Sequence, residues 1–543
     1  MKLIIPMNQN NNRLSVGEKL AYALGDASAN IAWRGVSTFL LIFYTDVFGL
    51  APAIAGLVLL VGRFTDGISD ILMGVVGDRT HSKYGHFRPW ILWTAIPLGV
   101  TLSLIFTAPD WSMDAKIAYA FITYVLFMVI YTANNVPYGS LMAVMTPDDK
   151  ERTSLSSFRM VGAFAGGMLV QGALLFLVAY FGSVNPDLNV EKVDSNRYTV
   201  SFSTKEDFQK VKISTNDGIA TFVWADSINS PSAIPTTAKN LSVKAGEQYR
   251  FLVTGQANLS SDDISIIDQS RGYSNSMYIM SAILVLALLV TFRFTRERVA
   301  PPADQKTDLK SDLKDLIHNK PWIVLLVVGL LFNVYNNIKQ GITVMYFSHY
   351  IHDQFLAATY MVCLMLASIG GAMLTTPLGR IMGKKKLFIT ALVVTGVINA
   401  LIAFCGPQDV TAIFIIGTAS EVFAAFLPTL FFAMLGDAAD YSEYVNGRRA
   451  TGLVYAAGSF ATKFGGGIAG AVIGVILGAF GYVGTDPATY AAAAPGLVMI
   501  MSWVPTIIVV LGAAVMFLYP LDQSKQDKIT IELEMRRQFE VKK

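Results

Sequence analysis

Long apolar stretches recur along this chain so closely that most are separated by only a short polar connection, and this constrains its fold more than any other feature. A helix needs about 20 apolar residues to cross the roughly 30 Å hydrocarbon core of a bilayer. On that basis roughly twelve spans are expected. In the first half they lie near 20–47, 52–77, 89–109, 115–143, 155–182 and 275–295. In the second half they lie near 320–350, 355–379, 386–405, 411–436, 449–480 and 495–519. Composition agrees, with 53% hydrophobic residues, 15% charged residues and a mean hydropathy of +0.48, against roughly 25% charged residues in soluble proteins. A soluble multidomain enzyme is thereby excluded. The net charge of +3 gives no reason to expect a nucleic-acid partner. Cys363 and Cys405 both sit in apolar runs and read as packing residues rather than a disulfide or metal site. No cleavable signal is expected, because the first residues contain no apolar stretch followed by a small-residue cleavage site.

Lys and Arg placement sets the orientation. Arg79, Lys83 and Arg88 follow span two, Lys150 and Arg152 follow span four, and Arg296, Arg298, Lys306, Lys310 and Lys314 fill the central linker. Arg380 and Lys384–Lys386 follow span eight, and Arg448 and Arg449 follow span ten, whereas the opposite short connections offer little beyond Lys116. The positive-inside rule then places both termini in the cytoplasm, in an integral protein of a bacterial inner membrane. Basic connections fall at the same rank in each half, which points to two related six-helix bundles with substrate near the midplane between them, the layout of a major facilitator transporter. The expected organisation is a first bundle of 1–182 and 275–295, a linker of 296–319, a second bundle of 320–519 and a cytoplasmic tail of 520–543. Residues 183–274 break the pattern. They are polar and contain alternating runs such as Tyr198–Phe202 and Ala220–Trp224 around an Asn216-Asp217-Gly218 turn, which predicts a small extracytoplasmic β-rich insert with a hairpin there. The insert contains no histidine or cysteine, which argues against a zinc or disulfide module.

An ionisable group at the bilayer centre costs roughly 2.5–3.5 kcal/mol on insertion scales, so such groups are functional candidates by default. Asp26, Asn30 and Arg34 share one face of span one beside Trp33, and Arg63, Asp66 and Asp70 share a face of span two. Further polar candidates are Tyr131, Thr132 and Asn135 in span four, Arg159 in span five, Lys339 in span seven, Glu421 in span ten and Lys463 in span eleven. Two carboxylates one turn apart repel when both are ionised, so Asp66 and Asp70 call for a shared proton or a cation. Oxygen-rich surroundings suit a hard cation such as Na+. An ion-pair lattice with Arg63, Arg159 or Lys463 is the structural alternative. Trp33 is read either as a stacking surface for a sugar or as packing, Glu421 as a helix–helix contact, and Gly166 and Gly167 as close-packing residues.

The segment RFTDGISDILMGVVGDRTHSKYGHFRPWILW, from Arg63, resembles the signature of the glycoside–pentoside–hexuronide:cation symporters, the family of the melibiose permease. Supporting pieces are Lys19–Gly25, Phe43–Gly49, Asn135–Leu141, Asp437–Tyr441 and Lys463–Gly466, so the resemblance covers nearly all of both halves and omits the insert. It implies uptake of a sugar or glycoside driven by Na+ or H+, with no cofactor beyond the coupling ion. Asp66 and Asp70 match the family's cation-binding carboxylates, and they are the metal ligands if the ion is Na+. Thr132 matches a nearby hydroxyl ligand, with Asn135 beside it. Arg159 and Lys463 match polar residues of the sugar and cation site, and Asn30, Trp33, Arg34, Asn135 and Lys339 complete the expected substrate set. Asn30 and Asn135 stand where the melibiose permease has sugar-binding aspartates, and Gly139 stands where it has a stacking aromatic. These exchanges, with Arg34 and Lys339, favour H+ coupling or an acidic sugar, although amides bind neutral hydroxyls equally well.

Membrane lipid and a small sugar are the expected partners, and the chain is expected to work as a monomer. Two other readings use the same sequence: a lipid or lysolipid carrier of this layout, and a membrane sensor with the insert as its receptor module. Enzyme and ATP-driven readings lack support, since no nucleophile–base set and no GxxxxGK[ST] loop is present.

Overall fold

The computed structural model describes residues 14–146, 149–184, 186–194, 197–215, 221–224, 241–254, 259–298, 318–446 and 451–541. Helices α1 (Val16–Ile42), α2 (Pro52–Arg79), α3 (Arg88–Ile105), α4 (Met113–Met145), α5 (Asp149–Gly182) and α6 (Gln269–Phe294) make up the first half. The second contains α7 (Lys320–Tyr346), α8 (Gln354–Met382), α9 (Lys384–Ala400), α10 (Val410–Ala424), α11 (Phe426–Asn446), α12 (Thr451–Ala479), α13 (Tyr490–Met501), α14 (Trp503–Phe517) and α15 (Gln523–Val541). Starts follow local chemistry. The side chains of Ser15 and Asn319 cap α1 and α7 by accepting from the Glu18 and Trp322 amides. Pro52, Pro89 and Pro321 occupy first turns, where no amide hydrogen is needed. Both α1 and α7 widen into one π-helical turn at the same end, Phe43–Val47 and Phe347–Ile351.

Among the described residues, nine helical stretches are long and apolar enough to cross a bilayer. Helices α1 and α2 are as long but carry Asp26 and Arg34, and Arg63, Asp66 and Asp70. Large apolar residues such as Ile68, Ile96, Ile122, Val161 and Ile415 are exposed, as expected where the surrounding solvent is hydrocarbon. Within the first half α1 packs on α5 and α6, and α3 on α4 and α6. In the second, α7 and α9 pack on α14, and α8 on α10. The two halves meet where α2 lies against α12, α5 against α8 and α1 against α7. Glycine permits the closest approaches. A Cβ on Gly166 would collide with the carbonyl oxygen of Ala27, and one on Gly474 with that of Pro52.

Between α5 and α6 lie strands β1 (Asp187–Asp194), β2 (Arg197–Ser203), β3 (Phe208–Thr215), β4 (Thr221–Trp224), β5 (Leu241–Val243), β6 (Gln248–Thr254) and β7 (Ile264–Asp268). They form two antiparallel sheets, ordered β1-β2-β6-β4 and β5-β3-β7. Alternate residues Tyr198, Val200 and Phe202 of β2 join Val211, Ile213 and Ile266 of the other sheet in one apolar core.

The structure revises several sequence expectations. Strands β3 and β4 flank the expected turn yet belong to different sheets, so they are not the two arms of a hairpin; residues 216–220 themselves lie outside the described residues. Strand β4 instead lies beside β6, with Val223 opposite Leu252. Helix α6 starts at Gln269 rather than near 275, because Asp268 caps it by accepting from the Arg271 amide and a polar first turn is invisible to a hydropathy scan. Spans ten and twelve are each interrupted, at Ala425 and Ser502. Pro428 and Pro505 lie four residues after Ala424 and Met501, where a proline ring displaces the helical carbonyl. Over its described part the segment 520–543 forms α15, which packs on α11 and buries Ile529 and Leu533, spaced four apart.

Candidate functional site

The charged face of α2 turns inward. Asp66 is fully buried, and its Oδ1 accepts a 2.6 Å hydrogen bond from the Thr132 hydroxyl on α4. Asp70 is half-buried one turn further along the helix. The Arg63 guanidinium lies 3.9 Å over the Trp33 ring, which itself stacks on Tyr131 at 5.8 Å. A Cβ on Gly467 of α12 would fall 2.8 Å from Arg63 Cγ, so the glycine makes room for the arginine between the halves. Among the described residues, Arg63 Nε and Nη1 have no hydrogen-bond partner, and the indole face offers the cation a π contact.

A second constellation lies on the same half. Arg159 Nε reaches Asp26 Oδ1 at 3.2 Å, and its guanidinium sits 5.6 Å from the Tyr138 ring centre. Asn30 turns its amide back onto the Asp26 carbonyl at 3.0 Å. Asn135 is half-buried on α4, while its neighbour Asn134 is spent on a 2.8 Å bond to Thr94. The Lys463 side chain lies outside the described residues; its backbone belongs to α12.

A cavity of about 230 Å3 separates the two halves. Arg34 and Gln171 line it from the first half, and Lys339, Gln340, Ser368 and Glu421 from the second. Asn30, Trp33, Asn135 and Arg159 are not among its lining residues. Glu421 Oε1 accepts from the Ser368 hydroxyl at 2.5 Å. Lys339 lines the wall with its stem, but its ammonium is held by Asn399 Oδ1 at 2.8 Å and the Met501 carbonyl at 3.4 Å. That carbonyl is one the Pro505 ring displaces, so the break between α13 and α14 supplies the acceptor that keeps a cation inside the bundle.

Contacts between the halves gather toward the insert-side ends. Ser37 on α1 donates to Gln340 on α7 at 3.2 Å. Beyond it, in the π-helical turn after α1, Asp46 bonds His349 Nε2 at 2.6 Å and accepts from Tyr482 at 2.6 Å and Thr45 at 2.7 Å. His349 sits in the matching π-helical turn after α7, and both groups are buried. At the opposite ends the described ties stay within each half. Arg298 pairs with Glu18 at 2.7 Å, Lys19 with Glu151 at 2.8 Å, and Lys384 with Asp437 at 2.7 Å.

Sequence reading missed Asp46 and His349. Asp46 lay within the quoted Phe43–Gly49 motif, and the signal available was a carboxylate next to a run of aromatics at a helix end. Glu421 had been assigned to helix–helix contact. Among the described residues no group of three or more His, Cys, Asp and Glu could hold a metal ion.

Comparison with known proteins places this geometry. The chain is 28% identical to the isoprimeverose transporter of Lactiplantibacillus pentosus, over 97% of this chain and 92% of that one. It is 29% identical to the inner membrane symporter YicJ of Escherichia coli, over 92% and 91%. In fold it resembles the crystal structure of a D-xylose–proton symporter, with a TM-score of 0.56 and 11% identity over 92% of this chain and 96% of that one. A bacterial homolog of the human lysosomal transporter Spinster, in an inward-facing and unoccupied conformation, gives a TM-score of 0.59 and 14% identity over 93% and 95%. Residues 21–224 and 249–523 match the model of a family described as MFS/sugar transport protein. This chain is an integral membrane transporter of that family, the MFS/sugar transport proteins, and not an enzyme.

Proposed function

We propose that this protein is a secondary active symporter that couples uptake of a sugar or glycoside to Na+ or H+ across a bacterial inner membrane. It does so with twelve spans in two bundles, cytoplasmic termini and an extracytoplasmic insert. The observation that carries the reading is Asp66, a fully buried carboxylate bonded to Thr132 at 2.6 Å with Asp70 one turn away. A carboxylate in that place is tolerated when a cation or proton compensates it. Three oxygen-bearing side chains on α2 and α4 suit a hard cation, and the same carboxylates accept a proton. Arg159, Asn30, Trp33, Asn135 and Lys463 are assigned to the sugar, together with Arg34; Lys339 lines the cavity beside Arg34 with its ammonium held by Asn399 and the Met501 carbonyl.

The cavity between halves and the clasp at Asp46 give the cycle its parts. In the state described, the insert side is closed by Ser37–Gln340 and Asp46–His349, so release is toward the linker side. Cation occupancy relieves the repulsion between Asp66 and Asp70 and firms the neighbouring helices, and linkage then requires each ligand to strengthen binding of the other. Uptake of labelled glycosides and uronides into proteoliposomes under imposed Na+ or H+ gradients tests this. Concentrative uptake with one of the two gradients is the expected result. Gradient-independent movement of lipid alone would refute it in favour of the carrier reading.

A further inference from the structure

The cavity's charged groups are unequally committed. The Lys339 ammonium is taken up by Asn399 and the Met501 carbonyl. Arg34 is different. Its Nε is buried with no hydrogen-bond partner among the described residues. Its stem passes over Gly167 of α5, where a Cβ would lie 3.6 Å from Arg34 Cγ and 3.7 Å from Nε. A buried guanidinium donor without an acceptor costs free energy unless a ligand or water supplies one. Glu421 is the carboxylate in the wall. Only its Oε1 is bonded to Ser368, on the neighbouring helix α8. A contact that served helix packing alone would be met by a neutral amide, without the cost of bringing a charge into the bundle.

We propose that Glu421 is a substrate-binding residue of the second bundle, and that a neutral sugar ring bridges it to Arg34 of the first through vicinal hydroxyls. This rests on the symport reading and deepens it. The carboxylate accepts two hydroxyl hydrogens, and the guanidinium donates to the oxygens of the same or adjacent carbons. Opposite charges facing one small space favour a neutral polyol over an acid, because a uronate carboxylate would meet Glu421. The volume of about 230 Å3 holds roughly eight waters at about 30 Å3 each, which limits the ligand here to about one ring. A ligand held by both bundles also binds only when they are close, which ties occupancy to closure.

The test is counterflow in proteoliposomes with both Na+ and H+ present, using labelled xylose, methyl β-xyloside and methyl β-glucuronide. Wild type is expected to exchange a neutral probe in preference to the glucuronide. Glu421→Gln is expected to raise the half-saturation concentration for the neutral probe about tenfold and to narrow its preference over the glucuronide. Ser368→Ala, which removes the helix contact but keeps the carboxylate, is expected to preserve that preference. Should Glu421→Gln fail to insert, Glu421→Asp and Arg34→Lys carry the same comparison. Half-saturation within about twofold of wild type in Glu421→Gln, or equal loss for neutral and acidic probes, overturns the assignment while leaving symport intact. Failure of wild type to exchange any of the three overturns the symport reading, and this inference with it.

Discussion

Replacing Asp46 by Ala is expected to loosen the closed insert side without emptying either bundle. Two of the hydrogen bonds at Asp46 come from the other half of the chain, His349 Nε2 and the Tyr482 hydroxyl, each at 2.6 Å. Hydrogen bonds to charged groups contribute about 1.5–3 kcal/mol each. The two share one carboxylate and are not additive, so the closed state is expected to lose about 3 kcal/mol rather than the full sum of roughly 3–6 kcal/mol. At about 1.4 kcal/mol per decade, that shifts the balance toward an open insert side about 100-fold. The assay is alkylation of Ser37→Cys by a membrane-impermeant maleimide applied on the insert side, with Cys363 and Cys405 replaced. Ser37 is suitable because its hydroxyl meets Gln340 across the interface below the clasp. Labelling is expected to accelerate about 10–100-fold, with a smaller effect for His349→Ala, since the Tyr482 bond remains. A labelling rate within about twofold of the parent, in protein that unfolds at the parent's temperature, would refute the reasoning.

Asp66→Asn is expected to abolish gradient-driven accumulation while preserving insertion, because the amide keeps the volume and can still accept from Thr132; unchanged concentrative uptake would contradict the coupling role. Gly166→Leu is expected to lower thermal stability by about 2 kcal/mol or more, since overpacking forces α5 away from the Ala27 carbonyl; calorimetry or a fluorescence melt reads this directly. Replacing 186–265 by a short Gly/Ser link is expected to leave sugar affinity intact. The ends are already adjacent, with the Val184 amide bonded to the Ile266 carbonyl at 3.1 Å, and closure cost rises slowly with length. Loss of binding in a well-inserted deletion would favour the receptor reading. Asn399→Leu is expected to impair folding more than Lys339→Met, because it strands the ammonium inside the bundle; expression and melting temperature of the two variants decide this.

The sequence by itself determined where the helices lie and which of them carry charge. Length, hydropathy and proline position act within one segment, so α2 with Arg63, Asp66 and Asp70 on one face was legible before any tertiary contact was known. The juxtaposition of Thr132 with Asp66 entered only through resemblance, and the structure supplies its 2.6 Å geometry. Helix start signals were local too, but a polar first turn such as that of α6 carries no hydropathy and was placed late. Tertiary structure alone decided everything that joins distant segments. Asp46 and His349 are 303 residues apart, and no period or motif links them. It also gave β3 and β4 to different sheets, against the nearest-neighbour expectation of a hairpin, by pairing β4 with β6 across a longer stretch of chain. The acceptors that hold the Lys339 ammonium, Asn399 and the Met501 carbonyl, likewise come from other helices. The physical reason is common to all three. A side chain's periodicity states which face it occupies, whereas the group that compensates a buried charge is set by how two bundles close on each other, and bilayer insertion only requires that some partner be found.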